Sequence, residues 1–206
     1  MGRLRRMTRR FRRTDPEQDL QHWFEVGDDG RVLRQISFRG GGPAALVAAA
    51  PAEREEVRQV GGGLAVQLYE VVYGTAWPGP VVEPADAVPV TELEFTLAWG
   101  RARSHRQCDV RHDSGPVPVG ARLPGTFAVS PWAPGATGVL VDLGLSVPGF
   151  VDALILLRAE CPWPPEGTPA VFEVIDIRVG NSACQLRLRP TATPAPGEPW
   201  PSPAPR

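Results

Sequence analysis

An α+β unit followed by an all-β, five-stranded Greek-key barrel is the fold this 206-residue sequence predicts. Three observations lead there. Residues 20–38 contain two alternating, β-rich runs around Gly27-Asp-Asp-Gly30, which is a hairpin signature. Helix-spaced apolar residues then recur as far as residue 103. Residues 120–190 instead carry five short strand patterns separated by turn residues, with almost no helical signal. Closing such strands into a barrel removes the unpaired edges that would otherwise aggregate.

Composition and charge bound the function classes. The chain is 42% hydrophobic, enough for packed cores, although 22 glycines and 24 prolines punctuate it heavily. There is no lysine, so all 22 basic residues are arginine, set against 23 acids for a net charge of −1. The layout is uneven. Residues 1–14 hold seven arginines and no acid, whereas residues 15–103 hold 14 acids against seven arginines. Residues 1–14 read as a disordered basic leader, with Met7 as an alternative start. Such a cluster either binds phosphate without sequence preference or folds back over the acidic stretch. No run of 18 or more apolar residues suggests a membrane span, and no charged-then-apolar opening suggests a secretory signal. Three cysteines are too few and too scattered for a disulfide framework. A cytoplasmic location is the expectation.

In chain order, the first unit spans residues 20–103. Leu20–Val26 and Arg31–Phe38 form the hairpin, and Gly40-Gly-Gly-Pro43 breaks the chain. Residues 44–60, rich in alanine and charge, read as a helix interrupted at Pro51. A second helix follows Gly61-Gly-Gly63, with Leu64, Leu68 and Val71 or Val72 on one face and Gly74 as its stop. Residues 76–90 read as a loop with an extended stretch. Thr91 and Glu94 have capping-box spacing, and Phe95, Trp99 and Ala102 continue a terminal helix. Residues 104–118 read as a polar linker. Within it His105, Cys108 and His112 have donor chemistry for zinc but no finger spacing, so a solvated connector is the reading. The strands of the second unit fall at Gly125–Ser130, Gly138–Gly144, Pro148–Leu157, Val171–Arg178 and Cys184–Arg189. Residues 191–206, dense in proline with Trp200 as the one large apolar side chain, read as a disordered tail.

The series Gly125-Thr, Gly138-Val-Leu-Val-Asp-Leu-Gly144, Gly149-Phe-Val151, Phe172-Glu-Val-Ile-Asp176 and Gln185-Leu-Arg-Leu-Arg189 resembles the OB-fold RNA-binding domain repeated in the large ribosomal protein S-one. The resemblance covers residues 120–190. It implies an OB-type barrel that binds single-stranded RNA across its second and third strands, with bases stacked on exposed aromatics and arginines on phosphates. On that pattern Trp132 and Phe150 are the stacking candidates, and Arg158, Arg187 and Arg189 the phosphate contacts. Arg187 and Arg189 share a face by strand alternation. The chain also departs from the family. Thr137 and Leu140 stand where aromatics are usual, and Asp152 stands where a histidine is common, so weak binding is implied.

In the first unit, Trp23-Phe-Glu-Val-Gly-Asp-Asp-Gly-Arg-Val-Leu-Arg-Gln-Ile-Ser37, with Leu68-Tyr-Glu70 and the pair Phe95 and Trp99, is similar to an uncharacterised small α+β family of GC-rich bacteria. No activity follows from it. Trp23, Phe24, Val26, Val32, Ile36 and Phe38 are expected to pack on the helix bearing Phe95 and Trp99. Phosphate-cradling loops with their lysine and nucleophile elbows are absent from the sequence. A non-catalytic protein without cofactors is the expectation, with single-stranded RNA as partner. The alternative is an immunity-type or adaptor protein whose acidic first unit captures a basic protein.

Overall fold

The computed structural model describes residues 8–40, 42–108, 112–128, 137–158, 163–180 and 183–201, with backbone alone at 157 and 158. It is mixed α+β, with two five-stranded sheets and few helices. The chain divides into one unit of residues 1–59 and 69–110 and a second of residues 60–68 and 111–206.

The first unit is built on an antiparallel sheet of order β4-β3-β2-β1-β5. Its strands are β1 (Arg9–Asp15), β2 (Leu20–Val26), β3 (Val32–Arg39), β4 (Ala45–Ala49) and β5 (Val88–Pro89). The hairpin of β2 and β3 turns at Gly30, whose φ of 74° suits glycine. Residues 9–14 correct the expectation of a disordered leader, because they pair along β2 in full register. Alternation explains it. Phe11 is fully buried against Phe24, at 5.6 Å between ring centroids, while the arginines on either side of it find partners. Arg10 lies directly opposite Glu25 and bonds it at 2.8 Å, and Arg9 pairs with Glu83 at 3.6 Å. Residues 9–14 thus fold back on the acids that follow them, and residues 1–7 of the expected leader lie outside the described residues.

Pro51 corrects a second expectation. Residues 45–49 form the edge strand β4, and helix α1 (Pro51–Tyr73) begins at the proline. A proline in the first turn costs no hydrogen bond and presets φ, so it starts a helix. Helical backbone resumes on both sides of Gly62, whose φ of 64° marks a kink, and Gly74 closes the helix with its N–H donating to the Glu70 carbonyl at 2.8 Å. Helix α2 (Glu92–Cys108) opens on the expected capping box: the Thr91 N–H donates to Glu94 Oε2 at 2.8 Å, and the Glu94 N–H to Thr91 Oγ1 at 3.3 Å. It continues through residues 104–108, which the sequence reading placed in the linker. The expected apolar core divides between the two faces of the sheet. Ile36 packs with Phe95, Trp23, Phe38 and Trp99, while Phe24, Val26 and Val32 gather around Phe11 and Val81.

In the second unit, β6 (Arg122–Phe127), β7 (Gly138–Asp142), β8 (Gly149–Asp152), β9 (Pro169–Gly180) and β10 (Ala183–Pro190) close into a barrel of order β10-β8-β7-β6-β9. Strands β8 and β10 are parallel, and every other pair is antiparallel. The third strand ends earlier than expected. Asp152 Oδ1 accepts the Leu154 N–H at 2.8 Å, and Ala153–Arg158 form the short helix α3. Val139, Val141, Val151, Phe172, Val174, Ile177, Leu186 and Leu188 fill the interior by alternation. Residues 60–68 join this unit through Gly61, whose carbonyl accepts Ser146 Oγ–H at 2.7 Å, and Ala65, whose carbonyl accepts Cys184 Sγ–H at 3.3 Å. The proline-rich tail is also corrected as far as it is described. Trp200 is buried, with its ring edge-on to Phe127 at 5.1 Å.

Gly138 is required by close packing of β7 on β8. A Cβ there would lie 2.2 Å from the Val151 carbonyl oxygen and 2.5 Å from the Phe150 ring. Gly138→Ala is therefore expected to destabilise the second unit by about 1–3 kcal/mol. Urea unfolding of the full chain, followed by circular dichroism, measures it.

Candidate nucleic-acid interface

Strand alternation puts Leu140 of β7, Phe150 of β8, and Gln185, Arg187 and Arg189 of β10 on the outer side of the barrel wall, because their neighbours Val139, Val141, Val151, Leu186 and Leu188 are interior. Register aligns three of them, with Leu140 opposite Phe150 and Phe150 opposite Arg187. The Arg187 guanidinium lies over the Phe150 ring, 4.3 Å from its centroid, and a 3.2 Å bond from Arg187 Nη1 to Gln185 Oε1 fixes it from the side. Phe150 retains 7% of its exposure. The Arg187 guanidinium therefore covers the ring on which a base is expected to stack. Arg187 itself presents the charged group.

The remaining candidates are less available. Arg189 shares the outer face, but its Nη2 is 3.0 Å from Glu173 Oε2, so a neighbouring carboxylate meets its charge. The Arg158 side chain and the whole of Trp132 lie outside the described residues. Leu140, standing where an aromatic is usual, borders a depression of about 320 Å3 walled by Leu143, Leu145 and Pro148. Asp152 is occupied by capping α3.

Acidic and basic groups alternate beyond Arg187. Asp176 lies opposite it in the β9–β10 register, with Arg178 Nε at 2.6 Å and His112 Nδ1 at 3.7 Å. Burial alone would raise the Asp176 pKa. The contacts with His112 and Arg178 outweigh that and hold the carboxyl below the usual range. At neutral pH this side of the barrel carries an ionised carboxylate beside its cations, a mixed field for a polyanion. Sequence reasoning missed Gln185, although its i, i+2 spacing to Arg187 was a usable signal. His112, expected in a solvated connector, is instead buried in the second unit.

No protein-family model matches this chain, and no curated protein matches it. Among solved structures, it is similar to a multidomain protein with nucleic acid binding domains from Streptococcus pneumoniae, at 14% identity and a TM-score of 0.28. The alignment covers 91% of this chain and 52% of the other, so the chain spans about half the length of that protein. A likeness at this level defines neither fold nor ligand.

Proposed function

We propose that the second unit is an OB-fold of the S-one type that binds single-stranded RNA weakly, and that the protein is not an enzyme. The strand order with its parallel β8 and β10, and a helix between the third and fourth strands, support the fold assignment. The observation that carries the ligand is the Arg187 guanidinium held 4.3 Å over the Phe150 ring on the outer face of the barrel. A guanidinium fixed on an aromatic ring stacks under a base on its free face while its N–H groups reach a phosphate. With Leu140 replacing a usual platform, sequence-independent binding of low affinity is the consequence.

The experiment is fluorescence anisotropy of a labelled uridine decamer with the full chain at about 50 and 200 mM salt. Arg187→Ala is expected to weaken binding about tenfold and to flatten its salt dependence. Unchanged affinity in that variant would sink the reading. The alternative, capture of a basic protein by the acidic first unit, has less support. Glu25, Glu83 and Glu92 already face Arg9 and Arg10 of β1.

A further inference from the structure

The first unit contains a cavity of about 360 Å3 whose only charged lining residues, among those described, are Arg31 and Arg54. Its walls come from the start of β3, the junction of β4 with α1, and the loop after Gly74. Trp77, in that loop, is 48% exposed and lines the cavity. An indole left half in water offers a flat apolar face with a polar N–H at its edge.

The loop is held firmly. The Trp77 N–H donates to Gln35 Oε1 at 2.7 Å, Gln35 Nε2 donates to Ser37 Oγ at 3.0 Å, and Ser37 Oγ lies 2.8 Å from His22 Nδ1. Gln35, Ser37 and His22 are all buried, so a chain of polar groups under the sheet terminates on the backbone of the exposed tryptophan. The Val81 N–H to Gly30 carbonyl bond, at 2.9 Å, anchors the loop beyond Trp77. The Arg13 guanidinium lies over the indole, 5.7 Å from its centroid, and over Phe24 at 5.6 Å. The opposite wall is equally fixed. Tyr69 Oη accepts the Ala50 N–H at 2.9 Å, and burial pushes its pKa up to about 12, so it stays a neutral hydroxyl.

We propose that this cavity binds a nucleoside monophosphate, with the base on Trp77 and the phosphate between Arg31 and Arg54. Three features select that class. A rigid indole favours a planar aromatic group, two guanidinium groups whose carboxylate partners meet them at Nε leave their outer N–H groups for an anion, and the volume suits one nucleotide, near the lower end for small-molecule sites. Arg54 is oriented by Glu70, at 2.7 Å from its Nε, and Arg31 lies 3.7 Å from Asp29. The site is independent of the barrel and of what the barrel binds.

Isothermal titration of the full chain with each of AMP, CMP, GMP and UMP tests it. At least one is expected to bind saturably with a dissociation constant of about 1 mM or tighter. The matching nucleoside and inorganic phosphate alone should each bind more weakly. Trp77→Ala should weaken the nucleotide about tenfold, and Trp77→Phe, which keeps a ring, should retain most of the affinity. The double variant Arg31→Ala/Arg54→Ala tests the phosphate side without touching the loop and should also lose about tenfold. Arg187→Ala should leave this binding unchanged. Absence of saturable binding by all four nucleotides overturns the proposal, as does inorganic phosphate binding as tightly as the nucleotide. So does an affinity indifferent to the double arginine variant.

Discussion

Replacing Trp200 by alanine is expected to lower the stability of the second unit by about 3–5 kcal/mol, the usual cost of deleting a buried aromatic. The prediction is large because of where the indole sits. It is buried edge-on to Phe127, which is itself edge-on to Phe172 at 5.1 Å, so three rings form one packed end of the barrel. Aromatic pairs in this geometry contribute beyond the area they bury. Truncation after Pro190 should reproduce the loss, since it removes the same ring. Urea unfolding of the full chain and both variants gives the answer, and identical midpoints would mean that the tail is a solvated appendage.

Glu25→Ala should destabilise the first unit by about 1–3 kcal/mol, because it leaves the partly buried Arg10 and Arg34 without their carboxylate. Glu25 is buried between Arg10, at 2.8 Å, and Arg34, which bonds it through Nε and through Nη2 at 3.0 Å. Arg34 is in turn stacked over Phe95 and Trp99, at 5.0 and 5.4 Å, so the ion cluster is tied to the apolar packing of α2. The same residue sets a pH dependence. Burial alone would raise the Glu25 pKa, but the hydrogen bonds and charges of Arg34 and Arg10 hold it below the usual carboxylate value. A lowered folded-state pKa means that ionised Glu25 contributes stability fully above its unfolded value near 4.5. The contribution is lost as pH falls through the lower folded value. Thermal melts between about pH 6 and pH 3 should therefore show a steeper loss in the wild type than in Glu25→Ala. Parallel curves would contradict the cluster's role.

How much of this was legible in the sequence depended on the range of the interaction. The β2–β3 hairpin, the Thr91–Glu94 capping box and the Gly74 stop are encoded within a few residues of themselves, and each is present. Pro51 reads as an interruption because a proline follows an alanine run, whereas residues 45–49 form β4 alongside β3. The arginine-rich start departs from its local reading for a different reason. Local sequence shows only like charges, and the acids and aromatic faces that accept them lie on β2, in the loop before β5 and on α2. For the candidate interface, alternation along β10 put Arg187 and Arg189 on one face, but their fates differ because Phe150 lies beside one and Glu173 beside the other.

By itself, then, the sequence determined local geometry: where strands alternate, where helices begin and stop, and which residues of one strand share a face. Backbone preference and side-chain period act over a few residues and need no distant partner. The tertiary structure alone decided which groups are used up and which remain available. It covered Phe150 with Arg187, buried Trp200 and left Trp77 at the edge of a cavity. Burial and charge pairing are properties of neighbours brought together by the fold, so residues far apart in the chain set the chemistry of each site.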